Sequence, residues 1–285
     1  LGTILNIILD PIFIFDLESL GGFGFGLGIA GAAMATVISQ VVVFIVFIFM
    51  LFFKNHSYIS FNLSDFTFST DIIWDIIKVG LPASLSMIVM AVGQGVFNKI
   101  LVHISVNTVA AYQVAGRLDM LVFLPIFSIA ASLTTLVGMF YGAKEYGALR
   151  YIIKYGIFSA LLITIISSTI VYTFAGHVVR FFTDDASIVI IAVNFLQIFA
   201  FAYPFISVGI TTGRVLQGLG KGLPVLIITI VRVLGVSAPL ALFFVFIMDK
   251  TVEWVWYSMM LSTIVAFVLG VTWLISTLKR LPASR

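Results

Sequence analysis

Runs of about 25 or more apolar residues recur along the whole chain, and nothing in the sequence restricts its folding more. Inside hydrocarbon every backbone polar group must be satisfied within the structure, which leaves only helices and closed barrels as spanning forms. A helix of that length crosses a roughly 30 Å core with some tilt, whereas a barrel would show alternating segments of about 10 residues. Composition agrees with helices in a bilayer. Of 285 residues 61% are hydrophobic and 9% charged, with mean hydropathy +1.21, against about 25% charged in an ordinary soluble domain. The expected class is an all-α, multi-pass integral membrane protein whose first partner is the lipid bilayer. The net charge of +3 is small and its basic residues are scattered over loops, which argues against nucleic acid as a partner. There is no cysteine, so disulfides are excluded and the redox compartment stays open.

Eight spans are expected, at 1–15, 25–53, 72–102, 107–141, 152–175, 186–213, 223–248 and 254–278. Connections are short except for "KNHSYISFNLSDFTFSTD" at 54–71, a polar stretch suited to joining two bundles. Cytoplasmic loops are enriched in Lys and Arg. Alternate connections place Lys54, Lys78, Lys144, Arg150, Lys154, Arg214, Lys221, Lys279, Arg280 and Arg285 on one side, against Arg180 and Lys250 on the other. That bias puts the long connector and the C-terminus in the cytoplasm, and "DLESLGG", "TDD" and "MDKTVE" outside.

The opening is short for a full span, since about 15 residues precede an external loop and no start methionine is present. The chain therefore reads as beginning inside a longer protein. An internal echo agrees: "DPIFIF" followed by "GIAGAAMATVISQ" is faintly repeated by "APLALFF" followed by "WYSMMLSTIVAF". Pro11 falls 228 positions before Pro239 and Thr36 falls 227 before Thr263. On this reading 1–53 is the tail of one six-helix lobe, 54–71 a cytoplasmic connector and 72–285 a second, complete six-helix lobe. Repeated lobes are a common transporter architecture with binding sites between the repeats.

The order of "NIILDPIFIF", "GIAGAAMATVISQ", "KVGLPASL", "AAYQVAGRLDMLVFLP", "LVGMFYGAKE", "GRVLQGLGKGLP" and "RVLGVSAPLA" resembles multidrug and toxic compound extrusion (MATE) transporters over essentially the full chain. The resemblance implies a twelve-helix protein of two six-helix lobes around a central cavity, with this chain running from the last part of helix five onward. It further implies export of bulky, often cationic or amphipathic compounds, driven by inward flow of protons or sodium ions, in the cytoplasmic membrane of a prokaryote. No metal or organic cofactor is implied. The sequence departs from the family in one respect. The sodium-coupled branch carries acids in its seventh and tenth helices, and the matching spans, after Lys78 and at 186–213, contain none within the membrane. A helix-one aspartate, present in several branches, would lie outside this chain, so the coupling ion stays open between proton and sodium.

Intramembrane charges are functional candidates by default because they are costly in hydrocarbon. In "AAYQVAGRLDMLVFLP" Arg117 and Asp119 are two apart, so they face different directions and each needs its own partner. Arg117 lies roughly 15 Å along a helix starting near 107, too deep for easy snorkelling. Either residue could face a wet cavity, or each could be a structural tie to another helix. Arg232, about nine residues into its span, divides between the same two readings. Lys99 lies near a helix end and reads as snorkelling. Asp10 precedes Pro11, which removes a backbone donor, and the pair reads as a packing or kink feature.

Among uncharged groups, Gln94 and Asn98 share a helix face, as nearly do Asn194 and Gln197. Such faces suit a cavity wall or helix-to-helix hydrogen bonds. Tyr112 and Tyr203 could stack on a flat cationic drug through their ring faces. Pro82, Pro125, Pro204 and Pro239 fall within or beside spans, where neighbours or water can satisfy freed carbonyls. An enzyme is not expected. Clustered aspartates for magnesium and paired histidines at zinc spacing are both missing from the sequence, and "GGFGFGLG" lacks a phosphate-binding lysine. The rival reading is a lipid or oligosaccharide-lipid flippase of the same superfamily. Its cavity should gather several convergent cations, whereas Lys99, Arg117 and Arg232 stand on separate spans.

Overall fold

A computed structural model describes residues 1–16, 24–53 and 68–282, and all their regular structure is helical. It divides into two compact units, Leu1–Phe68 and Ser69–Arg285.

The first unit contains α1 (Gly2–Ile14) and α2 (Gly28–Phe53). They lie antiparallel, with Gly2 against Val43 at one end and Gly31 against Phe13 at the other. At Gly31 a Cβ would stand 2.2 Å from the Phe13 carbonyl oxygen, so only glycine permits the approach. The last carbonyls of a helix lack intrahelical partners. Here the returning chain supplies them: the Phe25 N–H donates to Ile12 at 2.9 Å and the Leu27 N–H to Phe13 at 3.0 Å. Asp10, just before Pro11 within α1, accepts from the Asn6 amide at 3.0 Å, and Asn6 also reaches Thr36 of α2 at 3.5 Å. The local packing use expected of Asp10 is what these contacts describe.

The second unit holds α3 (Thr70–Ile104), α4 (Val106–Gly142), α5 (Tyr146–Arg180), α6 (Ala186–Gly218), α7 (Leu223–Ile247) and α8 (Glu253–Lys279). These six and α2 are the described helices long and apolar enough to cross a membrane. Caps mark their starts. Ser105 separates α3 from α4 and its hydroxyl accepts from the Thr108 N–H at 3.1 Å. Asp185 accepts from the Ser187 and Ile188 N–H groups at 2.8 and 3.3 Å to begin α6. Lys144, in the tight α4–α5 turn, has φ +61 and Asp249, before α8, has φ +50, a region that costs an L residue roughly 1–2 kcal/mol.

Several helices overrun the apolar spans that announce them. The span read as 152–175 becomes Tyr146–Arg180, and that read as 186–213 becomes Ala186–Gly218. Hydropathy ends where polar residues begin, but backbone bonding continues into the interface. The 37 residues of α4 reach about 55 Å at 1.5 Å per residue, well past the hydrocarbon.

Helix α6 packs against α4, α5 and α8 and forms the spine of the unit. Its inward positions alternate small and large side chains, Ala192, Ala200 and Ala202 beside Phe195, Leu196 and Tyr203. Small residues allow close approach where lipid supplies no hydrophobic drive. Large apolar side chains such as Trp74, Met87, Phe158 and Phe201 stay exposed instead, as expected of helices apolar on every side. Two cores result. One gathers Phe97, Leu118, Phe195, Tyr203 and Trp256; the other gathers Leu133, Val137, Leu149, Leu216 and Leu274 toward the opposite helix ends. Helix α7 is irregular, with π-helical turns at Val231–Ser237 and Phe243–Ile247. Turns of this kind appear frequently at functional sites.

Candidate functional site

The first core is interrupted by polar groups from three helices. Asp119, half-buried on α4, accepts a hydrogen bond from the hydroxyl of Tyr203, fully buried on α6. Leu118 and Val122 on the inward face of α4 flank Asp119, and Ala202 precedes Tyr203, so small and apolar neighbours bring the two helices close. No Lys or Arg pairs with this carboxylate among the described residues. Its one direct partner among those residues is a neutral donor.

Tyr112 lies two turns before Asp119 on α4 and within electrostatic range of both Asp119 and Arg232. Arg232 is half-buried and occupies the first π-helical turn of α7. That turn packs on α3 and α8. Asp119 and Tyr203 are thus joined directly, and Tyr112 links this cluster electrostatically to Arg232 of α7. Aromatic rings wall it. Tyr112 stacks on Trp256 with centroids 5.8 Å apart and meets Phe195 edge-on at 5.6 Å, while Phe123 meets Tyr203 edge-on at 5.4 Å.

The remaining candidates share no hydrogen bond or ring contact with that cluster among the described residues. Arg117 is exposed on α4 and has no hydrogen bond or ion pair among the described residues. Gln94 is exposed on α3; Asn98, half-buried one turn on, accepts from Gln113 of α4 at 3.5 Å. Asn194 is half-buried with its amide oxygen unpartnered among the described residues, and Gln197 is exposed. Lys99 is exposed near the end of α3.

Two residues beside these sites were not singled out from the sequence. Gln113 follows Tyr112 directly, and as an amide inside an apolar run it carried a usable signal. Trp256 sits near a span end, where tryptophan is ordinarily an interfacial anchor. Here it is fully buried, and its indole N–H finds no acceptor among the described residues. Chemically, the cluster offers a carboxylate that can take up a proton or a small cation, a phenol that keeps one of its oxygens oriented, and aromatic faces beside an arginine. The described residues contain no group of three or more metal-ligating side chains.

Comparisons with known proteins converge. The family model described as MatE matches residues 82–243. The chain is 28% identical over 242 residues to the probable multidrug resistance protein NorM of Thermotoga maritima, covering 85% of this chain and 51% of that protein. It is 32% identical over 218 residues to the multidrug export protein MepA of Staphylococcus aureus, covering 76% and 46%. It therefore spans about half the length of the curated relatives it matches. A MATE crystal structure in the straight conformation superimposes with TM-score 0.90 at 33% identity, covering 99% of this chain and 61% of that one.

Proposed function

Because this chain belongs to the MatE family of membrane transporters, we propose that it forms part of a secondary-active multidrug exporter. It moves organic cationic or amphipathic compounds outward against protons or sodium ions by alternating access. Residues 1–53 supply the tail of one lobe and 72–285 the second lobe. The names of NorM and MepA, a multidrug resistance and a multidrug export protein, support the substrate class.

The observation that carries the coupling part of this reading is the Asp119–Tyr203 bond. A carboxylate inside a membrane-length helix, oriented by a phenol and unpaired with any described cation, is suited to gain and lose a proton or sodium ion. With the ion bound, the carboxylate is neutralised and the α4–α6 contact loses its charge. Without it, Asp119 attracts a cationic compound toward the ring of Tyr112, which can hold a cation through its face. Competition for one carboxylate is the elementary requirement of antiport, since a ligand shifts a conformational equilibrium only by its differential affinity for the two states. No specific contact favours the lipid-flippase alternative.

The test is efflux by the full-length protein in proteoliposomes under an imposed proton gradient or an imposed sodium gradient. Wild type should respond to one of them and Asp119→Asn to neither. Gradient-driven efflux at wild-type rate by Asp119→Asn would remove Asp119 from coupling.

A further inference from the structure

The second core opens sideways into a groove of about 600 Å³, floored by α6 and walled by α5 and α8. Ile153, Ile157 and Leu161 line one wall, and Val271, Leu274 and Leu278 the other. A contact between lining helices marks each end. At one, the Arg150 guanidinium donates to the carbonyls of Leu278, Leu281 and Pro282 at 3.4, 3.2 and 3.0 Å, strapping α8 to α5. At the other, Phe205 and Phe267 meet edge-on at 5.2 Å. From Arg150 to Leu161 the wall is about 16 Å long at 1.5 Å per residue. One leaflet of a roughly 30 Å hydrocarbon core has that depth.

Charge is confined to one end. Arg150 and the exposed Lys154 are the ionic residues of the groove, and an adjoining depression of about 420 Å³, which shares Ile275, carries Lys279 and Arg280. No carboxylate among the described residues lines either hollow. The floor also holds an unspent polar group. Thr164, Thr211, Thr229, Thr263 and Thr272 each return their hydroxyl to a carbonyl one turn back. Thr212, fully buried in the groove floor, has no partner among the described residues.

We propose that this groove is a binding site for one anionic glycerophospholipid, with an acyl chain laid between α5 and α8 and the phosphate held by Lys154 and Arg150. The apolar length accepts a chain, and the four cations at the mouth select a net negative headgroup. Basic pockets between transmembrane helices bind acidic headgroups by the same logic. A zwitterionic lipid would fill the same space but would set its own ammonium among these cations. This site lies in the other core from Asp119, and its occupancy stands or falls separately from ion coupling.

Native mass spectrometry of the full-length protein, delipidated and then offered phosphatidylglycerol or phosphatidylcholine at equal concentration, tests it. Wild type should retain one phosphatidylglycerol at least about fivefold more than phosphatidylcholine, the order expected for one interfacial cation. Lys154→Gln, an exposed position that leaves the Arg150 strap intact, should reduce that preference by about the same factor. Val271→Trp, which fills the groove, should abolish retention of the single lipid; if it does not fold, Leu161→Trp makes the same obstruction from the opposite wall. Equal retention of the two lipids by wild type, or an undiminished phosphatidylglycerol preference in Lys154→Gln and in a folded groove-filling variant, would overturn the proposal.

Discussion

Tyr203 on α6 donates its hydroxyl to Asp119 on α4, joining residues 84 positions apart inside a core built otherwise of aliphatic side chains and aromatic rings. A hydrogen bond to a charged acceptor contributes about 1.5–3 kcal/mol net, and removing the donor strands the acceptor. Tyr203→Phe should therefore destabilise the protein by about that amount, whereas Asp119→Asn keeps an acceptor for the phenol and should cost less. In the double variant the loss should be smaller than the sum of the two, because one shared interaction is removed once. Thermal melting in detergent of the four proteins checks this; strict additivity would mean the two side chains do not act as a pair.

Gly93 lets α3 approach α7 closely. A Cβ there would fall 2.2 Å from Val233 Cγ1, in the π-helical turn that also carries Arg232. Gly93→Ala should push that turn away and cost about 1–3 kcal/mol, the usual range for overpacking. Val233→Ala in the Gly93→Ala background should recover part of the loss by removing the opposing methyls. The melting temperatures of the single and double variants decide it, and no recovery would mean that the strain is relieved elsewhere.

The helices and the family were legible because both lie in local pattern: long apolar runs give spans, and ordered short motifs give the resemblance. Asp119 was visible for the same reason, as a charge within an apolar run. Its partner was not. Tyr203 was expected as a stacking surface and is instead also a hydrogen-bond donor, a role fixed by which faces of α4 and α6 meet. Single-sequence periodicity does not contain that information. The π-helical turns around Arg232 were equally hidden, since "VRVLGVS" is ordinary helical sequence and the extra residue per turn is taken up by packing against α3 and α8. Trp256 was obscured by its position near a helix end, and the Arg150 strap by the distance in sequence between the start of α5 and the end of α8. Lys54, Arg285 and all but the first residue of "DLESLGG", used in reading the orientation, fall outside the described residues.

Orientation gives a prediction of its own. The α4–α5 turn lies at the end of the unit rich in Lys and Arg and the α5–α6 turn at the other, which by the excess of cytoplasmic basic residues places the first inside and the second outside. Asp184 and Ala143 are both exposed and neither caps a helix through its side chain. In intact cells making the full-length protein, Asp184→Cys should react with an impermeant thiol reagent and Ala143→Cys should not until the membrane is opened. The reverse pattern would invert the topology and place the lipid groove in the outer leaflet.

Arg117 separates a transport role from a structural one. Had it been a buried ionic tie, removing it would strand its partner at a cost of about 3–5 kcal/mol. Its side chain is exposed on α4 and touches no hydrogen-bond or ionic partner among the described residues, so Arg117→Ala should leave the melting temperature close to wild type. The charge itself still acts at a distance. Two residues from Asp119 on the same helix, it contributes to the field that an approaching cation or proton meets, and its loss should change efflux rate and the pH at which efflux is half-maximal. Both readings are taken on one preparation of the full-length protein. A large fall in melting temperature with a proportionate loss of efflux would show that Arg117 has a partner after all, and unchanged efflux with unchanged stability would remove it from the pathway.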